Sequence, residues 1–195
     1  MLNMNKTETI VANVDRMREN AQDQAIYKNL PLAKETLALL ENLDDPEEAP
    51  LGKAYACHAI VEQLSEYDTP RIVLEILRRE LAWLEESDEE SGWLFAEDIE
   101  VDIARLEAYI DTDSLSMDEF CSRYNRHLRF DPVERTQKWE DVYFEVEEEC
   151  ARRLEGIPRG MGFCFPYWAA RHNVLRKYGI DCKSPHMMNP RVIFD

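Results

Sequence analysis

A chain of 195 residues, 45% hydrophobic and with only 6 glycines, is long enough for a core and too apolar for disorder. Its net charge of −17 repels phosphate backbones, so nucleic-acid binding is not expected. No window of 18 consecutive apolar residues suggests a membrane span, residues 1–10 do not read as a secretory signal, and the five cysteines have no C-x-x-C pair. A soluble chain with free thiols in a reducing cytoplasm is the expectation.

The charge is divided along the chain. Residues 1–150 hold 15 Lys and Arg against 37 Asp and Glu, whereas residues 151–195 hold 8 against 3. The basic end either meets an anionic partner or docks on its own acidic body.

Seven or eight helices are predicted in one all-α domain spanning 1–195, with short loops and an extended tail. The first covers about Thr7 to Tyr27, with Ile10, Val14 and Met17 at helical spacing. Pro31 suits the first position of a second helix, because proline there loses no needed N–H. An acidic linker, Asp44 to Pro50, precedes a third helix over about Leu51 to Tyr67. Thr69 is expected to cap a fourth, with Pro70 at its first position. Leu74, Leu77, Leu81 and Leu84 form its apolar stripe, and Glu75 can pair with Arg79.

Glu85 to Gly92 reads as a second acidic linker. The fifth helix covers about Leu94 to Ile110, with Ile99, Ile103, Leu106 and Ile110 inward. Ser116 with Glu119 makes a capping box for the sixth, and Asp131-Pro132 with Glu134 repeats it for the seventh. The seventh is predicted to end before Gly156, with Trp139, Val142, Tyr143, Val146 and Cys150 inward and Glu148–Arg152 and Glu149–Arg153 pairs outward. The last runs from about Pro166 to Tyr178. Gly179 supplies a left-handed stop that lets Ile180 fold back on Leu175. Ser184-Pro185 opens a short turn, and Arg191 to Asp195 reads as strand-like.

The segment from Gly156 to Tyr178 carries the densest chemistry. Three glycines fall within residues 156–162, Arg159 adds a positive charge, and a helix follows at once. Backbone N–H groups freed by such turns, together with a helix N-terminus, can hold an anion. The candidate binding residues are Arg159, Gly160, Gly162, Cys164, Tyr167, Trp168 and His172, with Met161 in the same loop. The plain alternative is a tight turn with Phe163, Phe165 and Trp168 as core.

Catalytic and metal readings are weaker on spacing. Cys164 and His172 on one helix stand about 12 Å apart along its axis, too far for a thiol–imidazole dyad. Cys164, His172, Cys182 and His186 offer zinc-binding atoms at a spacing that fits neither a finger nor a ribbon. Asp98 and Asp102 lie one turn apart, but Arg105 can neutralise Asp102 and no Glu-x-x-His accompanies them. His58 and His127 have no obvious partners. No metal, cofactor or catalytic residue is expected.

The chain ends in Tyr167-Trp168, then Leu175, Lys177-Tyr178-Gly179-Ile180, Ser184-Pro185, Met188-Asn189-Pro190 and Phe194-Asp195. This resembles the C-terminal signature of a group of uncharacterised bacterial helical proteins, over about the last 30 residues. Cys182 departs from the aromatic of that pattern, and Arg171-His172 from its paired basic residues. The resemblance implies no reaction. Two readings follow. One is a non-enzymatic binding or interaction protein with 156–195 as its recognition surface. The other is an enzyme or ligand-binding protein that holds a phosphorylated or carboxylated metabolite at the Arg159 loop, with His172 as acid or base.

Overall fold

The protein is described by a computed structural model over residues 5–43, 50–87 and 90–194, with residues 90–95 described by their backbone alone. Among the described residues it is all-α, with no strand. The helices are α1 (Lys6–Gln22), α2 (Asn29–Glu41), α3 (Pro50–Val61), α4 (Pro70–Glu86), α5 (Glu90–Ile110), α6 (Met117–Arg123), α7 (Gln137–Arg153), α8 (Cys164–Leu175) and α9 (Pro185–Met188). Short 3-10 turns cover Ile26–Lys28, Pro132–Arg135 and Arg176–Tyr178. No described helix is long and apolar enough to cross a membrane. The first acidic linker and the tip of the second lie outside the described residues.

Contacts divide the chain into two compact units, Met1–Glu107 and Ala108–Asp195. The charge divides with them. The first holds 10 Lys and Arg against 25 Asp and Glu, and the second holds 13 against 15.

In the first unit α3 packs on α4 and α1 on α2. Asn5 and Glu8 form a capping box that starts α1. Ile10, Val14 and Met17 on α1 are buried, as are Leu30, Leu37 and Leu40 on α2. Asn29, fully buried, ties three segments together: it accepts from Asn20 Nδ2 at 2.9 Å and donates to the carbonyls of Met17 at 3.0 Å and Gln63 at 2.8 Å.

Several local expectations are corrected here. Helix α1 stops at Gln22 because Gln24 takes a left-handed φ of 56°. Thr69 makes no side-chain cap; its hydroxyl donates back to Ser65 O at 2.9 Å instead. Arg79 reaches Glu41 on α2 at 2.8 Å, so the Arg79 partner is tertiary and not Glu75 one turn away. On α4, Glu80 is buried while Leu81 is only half-buried, so the inner face is rotated from the all-leucine stripe. Arg105 does hold Asp102 at 2.6 Å, and also Glu66 at 2.7 Å.

In the second unit α7 packs on α8. Trp139, Val146 and Cys150 from α7 meet Val174, Leu175, Ile180 and Cys182. The Ser116 capping box starts α6. The Asp131 box is present too, but it opens the 3-10 turn, and Thr136 then caps α7 by accepting from Trp139 N–H. Both outer arginines of α7, Arg152 and Arg153, pair with Glu149. Gly179 sits at φ 68°, and Ile180 N–H donates to Leu175 O at 3.1 Å, the fold-back expected. The tail forms no strand over its described residues: Val192 N–H donates to Asn189 O in a turn.

Candidate functional site

The C-terminal segment is fastened to its own unit by specific bonds. Asn189 donates to Arg129 O at 2.8 Å and accepts from Arg129 N–H at 2.9 Å. Lys183 N–H donates to Asp131 at 2.9 Å, and Lys138 donates to Gly179 O at 3.0 Å. The basic residues meet acidic ones of α7. Arg171 pairs with Glu147 at 2.9 Å, and Lys177 lies 3.5 Å from Glu149. Both acidic partners lie on α7 of the same unit.

Arg171 also stacks over the buried Trp139 ring, 4.4 Å from its centroid, and Tyr167 O–H donates to Glu147 at 2.9 Å. A cation held over an indole with little water around it contributes about 2 kcal/mol. Arg171, Tyr167, Glu147 and Trp139 therefore lock α8 onto α7. The roles of Tyr167 and Arg171 are first of all positional.

His172 is turned to the Cys182 carbonyl, with Nδ1 at 3.0 Å. A carbonyl only accepts, so Nδ1 carries the proton and Nε2 of the neutral ring is an acceptor. His172 borders a shallow cleft with Trp168, Arg171, Cys182 and Lys183. Burial, reinforced by Glu134 and Asp131, pushes the Cys182 thiol up to about 12, and burial pushes Cys150 up to about 11. Neither thiol is a nucleophile at neutral pH. Cys164 is the first residue of α8, half-buried, and His172 is committed elsewhere. No group of three His, Cys, Asp or Glu among the described residues converges as a metal site.

Gly156 and Gly162 take left-handed φ of 78° and 80°. These turns direct Gly160 N–H to Pro158 O and Phe163 N–H to Gly160 O, at 3.1 and 3.0 Å. Two of the four N–H groups from Gly160 to Phe163 are thus bonded within the loop. The Arg159 guanidinium lies over the Phe163 ring at 5.6 Å.

The aromatic residues of the segment are not all core. Trp168 stands edge-on to Phe165, with ring centres 5.5 Å apart, and to Phe194, at 5.1 Å. His186 closes the group at 6.1 Å from Phe165 and 6.3 Å from Phe194. Phe165 is 47% exposed, Met187, next to His186 in sequence, 63%, and Ile193, next to Phe194, 90%. Phe194 and Met187 are absent from the sequence-based candidates. Only the spacing of aromatics at 165, 168 and 194 hints at them, and the return of the tail onto α8 is what brings them together.

No protein-family model, curated protein or solved structure matches the chain.

Proposed function

We propose that the chain is a non-enzymatic interaction protein, and that the aromatic surface of residues 156–195 recognises a protein partner. The observation that supports this reading most is the half-open cluster of Phe165, Trp168, His186 and Phe194, flanked by Met187 and Ile193. Aromatic and methionine side chains bind partners well because they bury large areas while losing few rotamers. The cluster is also held rigid by the bonds at Asn189, Lys183 and Arg171, so binding carries a small ordering cost. Five free thiols suit a cytoplasmic setting.

The combined substitution Met187→Glu and Ile193→Glu changes only exposed side chains, so folding should be preserved. Affinity for a partner that wild-type protein retains, measured with both proteins purified, should fall by about 10- to 100-fold. Unchanged affinity would overturn the reading. So would thermal stabilisation by phosphorylated or carboxylated metabolites that is lost in Arg159→Ala, because that result belongs to an anion site in the loop.

A further inference from the structure

An open groove is lined by Arg129, Met188, Asn189, Pro190, Arg191 and Val192. The chain carries it straight into the aromatic surface, since Met188 follows the exposed Met187 and Val192 precedes the exposed Ile193. Its floor is fixed. The Asn189 side chain exchanges two hydrogen bonds with the Arg129 backbone, at 2.8 and 2.9 Å, and Val192 N–H donates to Asn189 O at 3.0 Å.

The groove has charge of one sign. Among the described residues that line it are two arginines and no Asp or Glu. Arg191 is exposed and has no ion pair among the described residues. Arg129 meets Asp118 at 3.0 Å, but both side chains are more than half exposed, at 57% and 65%. A bridge so open to water contributes little, and Arg129 can take a second carboxylate beside it. Arg171 and Lys177 differ, since they face Glu147 and Glu149 of α7.

These features narrow the ligand. The arginines select carboxylates, and Met187 and Ile193 beside them select apolar side chains. A free carboxylate would leave the apolar side chains uncovered. A nucleic acid or an anionic bilayer presents extended negative charge to a chain of net charge −17. A short peptide is governed by the charges within about 8 Å of it at physiological salt.

We propose that the partner presents an acidic segment with apolar anchors, its carboxylates meeting Arg129 and Arg191 and its apolar side chains covering Met187, Ile193 and Phe165. This rests on the reading of residues 156–195 as a recognition surface, and it adds the chemistry of what is recognised.

The test selects binders to the full chain from a random peptide library, then titrates the enriched peptides by fluorescence anisotropy. Enriched peptides should combine Asp or Glu with aromatic or aliphatic residues. Their affinity should fall about ten-fold when Arg129→Gln and Arg191→Gln are combined, and at least as much when Met187→Glu and Ile193→Glu are combined. Arg191→Glu should bind better to a peptide whose acid is replaced by lysine. Peptides without acids, lost in the Met187→Glu, Ile193→Glu variant and indifferent to the arginines, would overturn the acidic partner and leave the recognition surface standing. Peptides sensitive to the arginines alone would reduce the groove to an anion site and overturn the proposal. No enriched peptide, or peptides indifferent to both variants, would overturn both readings. Sedimentation of wild-type chain with phosphatidylserine vesicles would assign the surface to a membrane and overturn the proposal. NMR of wild-type chain with the tightest peptide should show shifts centred on Met188, Arg191 and Ile193. Shifts centred elsewhere would overturn the proposal whether or not the variants fold.

Discussion

Replacing Arg135 with methionine should lower the stability of the second unit by about 3–5 kcal/mol, the range for stripping a buried, fully bonded charge of its role. Arg135 is 2% exposed. Its guanidinium donates to four backbone carbonyls, those of Tyr109 at 2.5 Å, Leu115 and Asp111 at 2.7 Å and Ala108 at 3.0 Å. Three of these are at the C-terminal end of α5, where helix carbonyls have no partner in the helix itself. The guanidinium also lies 5.8 Å from the Tyr109 ring centre and 5.9 Å from that of Phe120. One side chain therefore ends a helix, joins it to the segment before α6 and fills the space between two rings. Methionine keeps much of the volume but donates to none of the four oxygens. Urea unfolding is the measurement, with Arg152→Met as the control because Arg152 is exposed and pairs only at the surface. A loss for Arg135→Met no larger than the control's would show that the carbonyls are satisfied in some other way.

The second large effect is a pH dependence set by Glu80. Burial pushes its carboxyl up to about 7 from an ordinary 4.5, while His58 pulls it down and Asp102 pushes it further up. Between those two values the folded chain keeps a proton that the unfolded chain has released. Stability attributable to Glu80 is therefore full below about pH 4.5, falls as pH rises, and is lost above about pH 7. The loss has an upper bound of about 3 kcal/mol. General repulsion in so acidic a chain also grows with pH. The difference between wild type and Glu80→Gln isolates the site, since glutamine keeps the shape and cannot ionise. The variant should be more stable than wild type at pH 8, by up to about 3 kcal/mol, and the gap should close at pH 5. A gap of the same size at both values would contradict the assignment.

The sequence signals that held are local ones. The capping boxes at Ser116 and Asp131, Pro70 at the start of α4 and Gly179 at the end of the last 3-10 turn each act within four residues of themselves. The α7 stripe was legible for the same reason, since Trp139, Tyr143, Val146 and Cys150 repeat at helical spacing and are all buried. What escaped depends on distant chain. Arg135 follows a capping box in sequence, and nothing there shows that its acceptors lie 20 to 27 residues earlier. Glu80 falls three residues after Leu77 and four before Leu84, so the helical period does place it inward, yet a glutamate there reads as solvent-facing until the tertiary contact is seen.

The candidate site shows the same division. The density of glycines and aromatics singled out 156–195, where Phe165, Trp168, His186 and Phe194 come together. The division of labour within the segment was not legible. Two of its cations, Arg171 and Lys177, turn to Glu147 and Glu149, and two N–H groups of the glycine loop bond within it. The outward chemistry is left to Phe165, Trp168, Phe194 and Met187. The charge polarity of the segment rests in part on Arg171 and Lys177, which pair within the fold.

The recognition surface is tested most directly by a photo-crosslinking residue at position 187, compared with one at Val101, which is 64% exposed in the first unit. The account predicts a discrete crosslinked partner from position 187, absent from position 101 and lost when Phe165→Ala is added. No crosslink at 187, or the same products from both positions, would contradict it.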